Sequence, residues 1–181
     1  MKTFCIYVLA GMLSFPACQH NSPHKAEKPY KMDERSLRKS GKEFFHEIEI
    51  PNLKRDKVSV TNEIKKHEIT VIDFWASWCG PCMREMPNIV KLNINYKSKG
   101  LGIIGISLDK DYNSWKEAID ANKMSWLQLS DLRGWESDAA LANGISSIPY
   151  TIIVDGNSNI LGKNLRGQEL EEFVSKYLSK K

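Results

Sequence analysis

Two cysteines separated by two residues, Cys79 and Cys82, are the residues of this sequence best suited to chemistry. They follow an apolar run, residues 69–75, that is rich in β-branched and aromatic residues and predicts a buried strand. Good helix formers come directly after them, so both cysteines are expected where a strand leads into a helix. The free N–H groups at a helix N-terminus favour a thiolate, which is the form of cysteine that attacks a disulfide. The spacing therefore predicts that Cys79 attacks a substrate disulfide and that Cys82 resolves the mixed disulfide.

Zinc sites use the same spacing of cysteines, so a metal site is the alternative. A structural zinc ion needs four ligands, and the chain has no second cysteine pair of this kind. Its four histidines are not paired at ligand spacing: they are His20, His24, His46 and His67. The sequence therefore favours redox chemistry, with no metal ion and no cofactor.

The residues around the cysteines resemble the thioredoxin superfamily. The stretch Trp-Ala-Ser-Trp-Cys-Gly-Pro-Cys has an acid, Asp73, six residues before Cys79, and Pro87 follows Cys82 by five. The segment from Cys82 to Pro87 resembles the membrane-anchored, extracytoplasmic TlpA/ResA-like thiol-disulfide oxidoreductases. The resemblance spans residues 44–181 and implies a thioredoxin-like α/β fold, a central mixed β-sheet flanked by helices. It also implies an N-terminal β-hairpin and an internal β/α insertion at about residues 109–134.

Asp73 lies inside the apolar strand that precedes the cysteines. A carboxylate there is costly unless it is neutral or hydrogen-bonded, so burial is expected to raise its pKa. The resemblance implies that Asp73 accepts the proton of Cys82 during resolution, and the alternative is a solvated acid at a strand edge. Thioredoxins place a lysine near this acid from the next central strand, whereas this chain has Gly105 there.

Ile148 and Pro149 come directly before a predicted strand. The resemblance implies a cis peptide bond between them that faces the cysteines and leaves the backbone of Ile148 free to pair with an extended substrate. The alternative is an ordinary trans proline that opens a strand. Trp78 is expected to be exposed and to contact the substrate. Glu85 is interpreted as a solvated residue, and the alternative is a role in tuning the thiols. The other tryptophans are expected to be packing residues: Trp75, Trp115, Trp126 and Trp135.

The N-terminus resembles a targeting segment. Lys2 precedes an apolar stretch, residues 4–15, that is too short to span a bilayer. Residues 1–17 are predicted to be a signal peptide of the lipoprotein type, because Ala17-Cys18 resembles the site at which a cysteine is acylated. The alternative is that Cys18 is an incidental residue of the signal peptide. Residues 18–43 are then the lipidated Cys18 and a polar tether, and residues 44–181 are the thioredoxin-like domain.

The remaining pattern predicts short strands and amphipathic helices. Strands are predicted at residues 44–50, 58–60, 101–108, 150–154 and 159–165, with an extended piece at 126–129. Helices are predicted at about residues 81–99, 115–122, 135–143 and 170–178, and residues 62–66 are predicted to be a connector.

Composition excludes some classes of function. The 26 basic and 22 acidic residues give a net charge of +4 and are interspersed, which argues against nucleic-acid binding. If Cys5 leaves with the signal peptide and Cys18 carries lipid, only Cys79 and Cys82 remain in the domain, and their bridge is the redox-active disulfide.

The resemblance implies an enzyme, a protein disulfide reductase, because Gly80-Pro81 between the cysteines matches the reducing members. Its partners are disulfide-containing proteins and a membrane thiol-electron donor, and cytochrome c maturation is one pathway that fits. The protein is expected to be a monomeric, membrane-anchored lipoprotein on the periplasmic side. One alternative is a peroxiredoxin-like peroxidase. The other is a non-enzymatic copper chaperone that would use His46 or His67.

Overall fold

A computed structural model describes residues 43–180 of the chain. The predicted signal peptide, Cys18 and the tether up to residue 42 lie outside the described residues. Within residues 43–180, no helix is both long and apolar enough to cross a membrane.

A five-stranded mixed sheet forms the centre of the domain. Its strands are β3 (Ile69–Trp75), β4 (Leu101–Ser107), β5 (Leu127–Leu129), β6 (Tyr150–Asp155) and β7 (Ile160–Lys163). Their order across the sheet is β5-β4-β3-β6-β7, with β5, β4 and β3 parallel and β6 and β7 antiparallel to their neighbours. The predicted thioredoxin-like α/β fold with a mixed central sheet is confirmed.

The two strands with continuous apolar sequence are the innermost ones. Every residue of β3 and of β4 is buried, because the sheet carries elements on both faces, as unbroken apolar runs predict. Asp73 lies in the middle of β3, opposite Gly105 of β4 on one side and Thr151 of β6 on the other. The fold therefore places a carboxyl group at the centre of the sheet.

Helices surround this sheet. They are α1 (Val60–Ile64), α2 (Gly80–Tyr96), α3 (Tyr112–Ala121), α4 (Asp138–Ala142) and α5 (Gly167–Leu178). Helix α2 buries Met86, Ile89 and Leu92 at helical spacing, and it packs against α5, which buries Leu170 and Val174. Helix α2 thereby holds its N-terminal turn, which carries both cysteines, at the end of β3.

The predicted N-terminal hairpin is present, but its first strand is shorter than predicted. Strand β1 (Glu49–Pro51) pairs with β2 (Lys57–Ser59) in a separate two-stranded sheet. The first residues of the predicted strand 44–50 pair elsewhere, since Phe45 N donates to Ser158 O and Ile160 N donates to Glu43 O. The alternating sequence at residues 44–50 therefore forms two short pairings, one with residues 158–160 and one with β2.

Two further segments differ from prediction. The connector predicted at 62–66 begins as helix α1, because the Ser59 hydroxyl accepts a hydrogen bond from Asn62 N and caps its N-terminus. The single helix predicted at 135–143 is a 3₁₀ turn (Gly134–Glu136) followed by α4. Ser137 between them is extended, and Asp138 N donates to the Asp131 carboxylate instead of continuing a helix.

Candidate active site

Cys79 and Cys82 form a disulfide at the N-terminus of α2, with an S–S distance of 2.03 Å. Cys79 is the N-cap residue, and its sulfur accepts a hydrogen bond from Cys82 N at 3.1 Å. Pro81 lies in the first turn, where a helix tolerates proline. The Cys82 N–H group at the helix N-terminus therefore points at the Cys79 sulfur, an arrangement that stabilises a thiolate once the disulfide is reduced.

Both cysteines are almost fully buried in the disulfide form. Cys79 is 5% exposed and Cys82 is 1% exposed. A nucleophilic cysteine is usually partly exposed, so Cys79 is less accessible in this oxidised form than such a role predicts. Of the two residues, Cys79 is the more accessible to an attacking group.

The carboxyl group of Asp73 is buried and has an altered acidity. Its pKa is raised from 3.8 to about 7, mainly because the group is buried; the negative charge of Glu85 also raises the pKa, and the positive charge of Arg166 lowers it. A carboxyl group with a pKa near neutral can take up or release a proton at working pH. Gly105 lies opposite Asp73, at the position where thioredoxins place a lysine. The positive charge that acts on Asp73 is instead that of Arg166, which is far away in the sequence.

Glu85 and Arg166 connect three parts of the site. The Glu85 carboxylate accepts a hydrogen bond from Gly167 N at 2.7 Å, which ties α2 to the start of α5. The Arg166 guanidinium donates to Pro149 O at 2.6 Å, and its Nε is buried without a partner among the described residues. Sequence reasoning missed Arg166 and placed Glu85 in solvent. The sequence around Glu85 or Arg166 does not predict these contacts, because the partner of each residue lies at least 17 residues away in the chain.

The Ile148–Pro149 peptide bond is cis. Pro149 is buried and Ile148 is half-buried, and no described residue hydrogen bonds to the backbone of Ile148. The Arg166 contact with Pro149 O holds this loop beside the start of α5. The geometry leaves the N–H and C=O groups of Ile148 available to an extended peptide.

The tryptophans have separate roles. Trp75 is buried, and its indole N–H donates to Gln128 at 3.1 Å. Trp115 is also buried, in agreement with its predicted role in packing. Trp78 is 57% exposed beside Cys79, whereas Trp135, predicted to be a packing residue, is 43% exposed and lies against Trp78. The reason for this difference is the 3₁₀ turn, which presents Trp135 to solvent near the cysteines.

Asp109 holds the segment that leads into the cysteines. It is buried, and its carboxylate accepts hydrogen bonds from Ser77 N at 3.0 Å, from Ser77 Oγ at 2.6 Å and from Ser107 Oγ at 2.6 Å. Ser77 is thereby fixed two residues before Cys79. Sequence reasoning missed Asp109, because a lone acid after a strand has no distinctive local signal.

No cluster of three or more histidine, cysteine or acidic side chains suited to a metal ion occurs within residues 43–180. His67 comes just before β3, whereas the cysteines follow the end of that strand. A strand of this length separates them by roughly 23 Å, at about 3.3 Å per residue. His67 is therefore too far away to share a copper ion with Cys79 and Cys82.

Comparison with known proteins finds thiol-disulfide oxidoreductases among the relatives of this chain. Residues 67–160 match a family model described as thioredoxin-like. ResA of Bacillus thuringiensis subsp. konkukian is 26% identical over 109 residues, which cover 60% of this chain and 61% of that protein. HelX of Rhodobacter capsulatus, a thiol:disulfide interchange protein, is 29% identical over 119 residues, 63% of this chain and 61% of that protein. The chain thus spans about three fifths of the length of the curated relatives it matches.

Solved structures of thiol-disulfide oxidoreductases are similar to this chain over a larger share of its length. A thiol-disulfide oxidoreductase from Bacteroides fragilis superposes with a TM-score of 0.69 at 30% identity, covering 74% of this chain and 98% of that one. The C-terminal domain of a thiol-disulfide oxidoreductase from Bacteroides thetaiotaomicron superposes with a TM-score of 0.67 at 32% identity, covering 77% and 96%.

Proposed function

Because this chain belongs to the thioredoxin-like family, we propose that it is a thiol-disulfide oxidoreductase that reduces protein disulfides through Cys79 and Cys82. The observation that carries this proposal is the position of the Cys79–Cys82 disulfide at the N-terminus of α2, directly after the strand that holds the buried carboxyl group of Asp73. Relatives of this chain are named as thiol-disulfide oxidoreductases.

In the reduced protein, the Cys79 thiolate attacks one sulfur of the substrate disulfide. A bond forms between Cys79 and that sulfur, and the other substrate sulfur leaves as a thiolate. The Cys82 thiolate then attacks the Cys79 sulfur, which forms the Cys79–Cys82 disulfide and releases the second substrate thiolate. Two electrons pass to the substrate, and the two released thiolates take up protons from solvent.

Asp73 acts in the second step. Cys82 is more deeply buried than Cys79 and must lose its proton before it attacks. With a pKa of about 7, the ionised Asp73 is a base matched to neutral pH, and it accepts the Cys82 proton through a water molecule.

The substrate lies across Trp78 and the Ile148–Pro149 loop. The unpaired backbone of Ile148 hydrogen bonds to an extended segment of the substrate, as in strand addition. Trp78 covers the side of that segment next to Cys79, since its indole ring is exposed there. These contacts orient the substrate sulfur toward Cys79.

The direction of electron flow and the cellular setting form the finer part of the proposal. Gly80-Pro81 and the resemblance to TlpA/ResA-like proteins support a reductase in an extracytoplasmic compartment, where cytochrome c maturation is one pathway. Residues 1–17 serve as a signal peptide, Cys18 carries lipid and residues 19–43 form a tether to a monomeric domain that begins at residue 44. A membrane dithiol donor restores the reduced Cys79 and Cys82 after each turnover.

A trapping experiment tests the assignment of the two cysteines. Cys82→Ser should accumulate a mixed disulfide with a disulfide-bonded substrate protein, since Cys79 attacks and nothing resolves the bond. Cys79→Ser is the matched control and should trap none, as measured by non-reducing gels and mass spectrometry. Equal trapping by both variants would contradict the assignment. A reduction potential of about −120 mV for the Cys79/Cys82 pair, which is typical of a strong oxidant, would contradict the proposal that electrons flow from this pair to the substrate.

A further inference from the structure

Few large apolar side chains are exposed in this domain, and two of them meet beside the cysteines. Within residues 43–180, the exposed ones are Trp78, Ile94, Trp135 and Leu141. The rings of Trp78 and Trp135 are 6.3 Å apart between centroids and inclined at 57°. Adjacent exposed indoles are unfavourable in water unless something covers them, so the pair marks an interaction surface.

A groove of about 390 Å³ runs along these two rings. Its lining residues include Ser77, Trp78, Leu108, Lys110, Gly134 and Trp135. A Cβ atom at Gly134 would lie 2.6 Å from Cε of Lys110, so the absence of a side chain at residue 134 lets the lysine stem cross this position. The groove thus has apolar walls formed by two indoles, a leucine and the methylene groups of a lysine.

Hydrogen bonds fix the segment that forms part of the groove. One wall is held by the Asp109 carboxylate, which binds both the backbone and the hydroxyl group of Ser77. Ser77 is followed by Trp78 and then by Cys79, so the groove begins next to the reacting sulfur. A rigid groove loses less conformational entropy when a peptide binds.

The charged side chains that line the groove differ in whether they already have hydrogen-bond partners. Asp109 is engaged by Ser77 and Ser107, and Asp111 accepts hydrogen bonds from the backbone and hydroxyl group of Ser114 at the start of α3. Lys110 is exposed and forms no ion pair with any residue of the described part of the chain. Both carboxylates keep their negative charge, but the ammonium group of Lys110 has no hydrogen-bond or ion-pair partner within residues 43–180, so it is available to pair directly with an acidic group of the ligand.

We propose that Trp78, Trp135 and Lys110 form a specificity groove for substrate proteins that carry a large apolar side chain and an acidic residue beside the disulfide. The apolar side chain packs against the exposed faces of the two indoles, and the acidic residue pairs with the ammonium group of Lys110. This inference rests on the proposed disulfide reductase function, and it adds the substrate class to it. The substrate peptide runs from the Ile148 backbone past Cys79 into the groove.

Three synthetic peptides, each with one intramolecular disulfide, test the groove. One carries Phe-Glu after a disulfide cysteine, the second carries Gly-Glu and the third carries Phe-Lys. The reduced full-length protein is mixed with each peptide, and with hydroxyethyl disulfide as a reference without side chains, and second-order rate constants are measured. We expect the Phe-Glu peptide to react about tenfold faster than the Gly-Glu peptide.

Variants assign the preference to the groove. Trp135→Ala should reduce the Phe-over-Gly ratio of rate constants to near one, and Lys110→Glu should reverse the preference for Glu over Lys. Ile94→Ala removes another exposed apolar side chain, outside the groove, and should leave both ratios unchanged.

The outcomes separate the two proposals. Equal rate constants for the three peptides, together with reduction of hydroxyethyl disulfide, would overturn the groove and leave the reductase function standing. A preference that survives Trp135→Ala and Lys110→Glu would also overturn the groove. Failure to reduce any of the four disulfides would overturn the reductase function and the groove with it. The comparison of peptides with the wild-type protein stands whether or not each variant folds.

Discussion

At the scale of single residues, the carboxyl group of Asp73 shows how neighbours from separate segments adjust one acid. Burial in β3 and the charge of Glu85 favour its protonated form, whereas the charge of Arg166 favours its ionised form. The result is a pKa of about 7, at which both forms are present near neutral pH. This balance suits a group that must accept a proton and later release it.

The first prediction concerns catalysis by this residue. Asp73→Asn should slow the resolution of the mixed disulfide by Cys82 by about 10²-fold, since a positioned base is lost. The initial attack by Cys79 should change much less, because Cys79 is stabilised by the N-terminus of α2. Rapid mixing with a disulfide substrate separates the two steps. Equal slowing of both steps, or of neither, would count against Asp73 as the proton acceptor.

The second prediction concerns the stability of the oxidised protein as a function of pH. Between pH 3.8 and about 7, the folded protein holds a proton on Asp73 that the unfolded chain has released. Its free energy of unfolding therefore falls as the pH rises through this window and levels off above it. Relative to Asp73→Asn, the wild type should lose about 2–3 kcal/mol between about pH 5 and pH 8. Denaturant titrations at both pH values measure the difference, and a pH-independent difference would refute the raised pKa.

At the scale of secondary structure elements, the central strands fit together because one position has no side chain. Gly105 of β4 lies between Asp73 of β3 and Gln128 of β5. A Cβ atom there would lie 2.2 Å from the Gln128 side-chain oxygen, which accepts the hydrogen bond of the buried Trp75 indole. The glycine thus permits a polar contact that anchors Trp75, four residues before Cys79.

The third prediction follows from this close approach. Gly105→Ala should lower the free energy of unfolding by about 1–3 kcal/mol, since Gln128 must move and a buried hydrogen bond is disturbed. Gly162→Ala in β7 is the matched control, because its added Cβ atom would meet its nearest neighbours at an ordinary 3.5 Å. Thermal unfolding of both variants measures the effect. A larger loss at residue 162 than at residue 105 would contradict the packing argument.

At the scale of the whole molecule, residues 43–45 are tied to an edge strand that lies more than 100 residues later in the chain. Ile160 N, at the start of β7, donates to Glu43 O, and Phe45 N donates to Ser158 O. Phe45 is buried in the core. Residues 43–45 therefore pair with the edge of the central sheet at the start of β7.

The fourth prediction compares two truncated proteins. A chain that begins at Glu43 should keep its fold and its disulfide reductase activity in full. A chain that begins at Glu47 loses the buried Phe45 and the backbone pairing, and it should be less stable by about 3 kcal/mol or more. Denaturant unfolding and the rate of substrate disulfide reduction measure both properties. If both chains are equally stable, the pairing of residues 43–45 does not contribute to the fold.

The sequence by itself determined the features that depend on neighbouring residues. The apolar runs predicted β3 and β4 as buried strands, and the cysteine spacing predicted a pair at the start of α2, because both signals lie within one element or one turn. The family resemblance, carried by the same short stretch, predicted the mixed sheet.

Only the tertiary structure decided which distant residues surround the cysteines. Arg166 reaches Pro149, Glu85 reaches Gly167, and Trp135 reaches Trp78, across separations that no local periodicity records. Glu85 was interpreted as solvated and Trp135 as packed, since an isolated charged or aromatic residue carries no sign of its partner. The physical reason is that burial and charge pairing depend on which elements pack together, and the chain settles that packing only when the whole core forms.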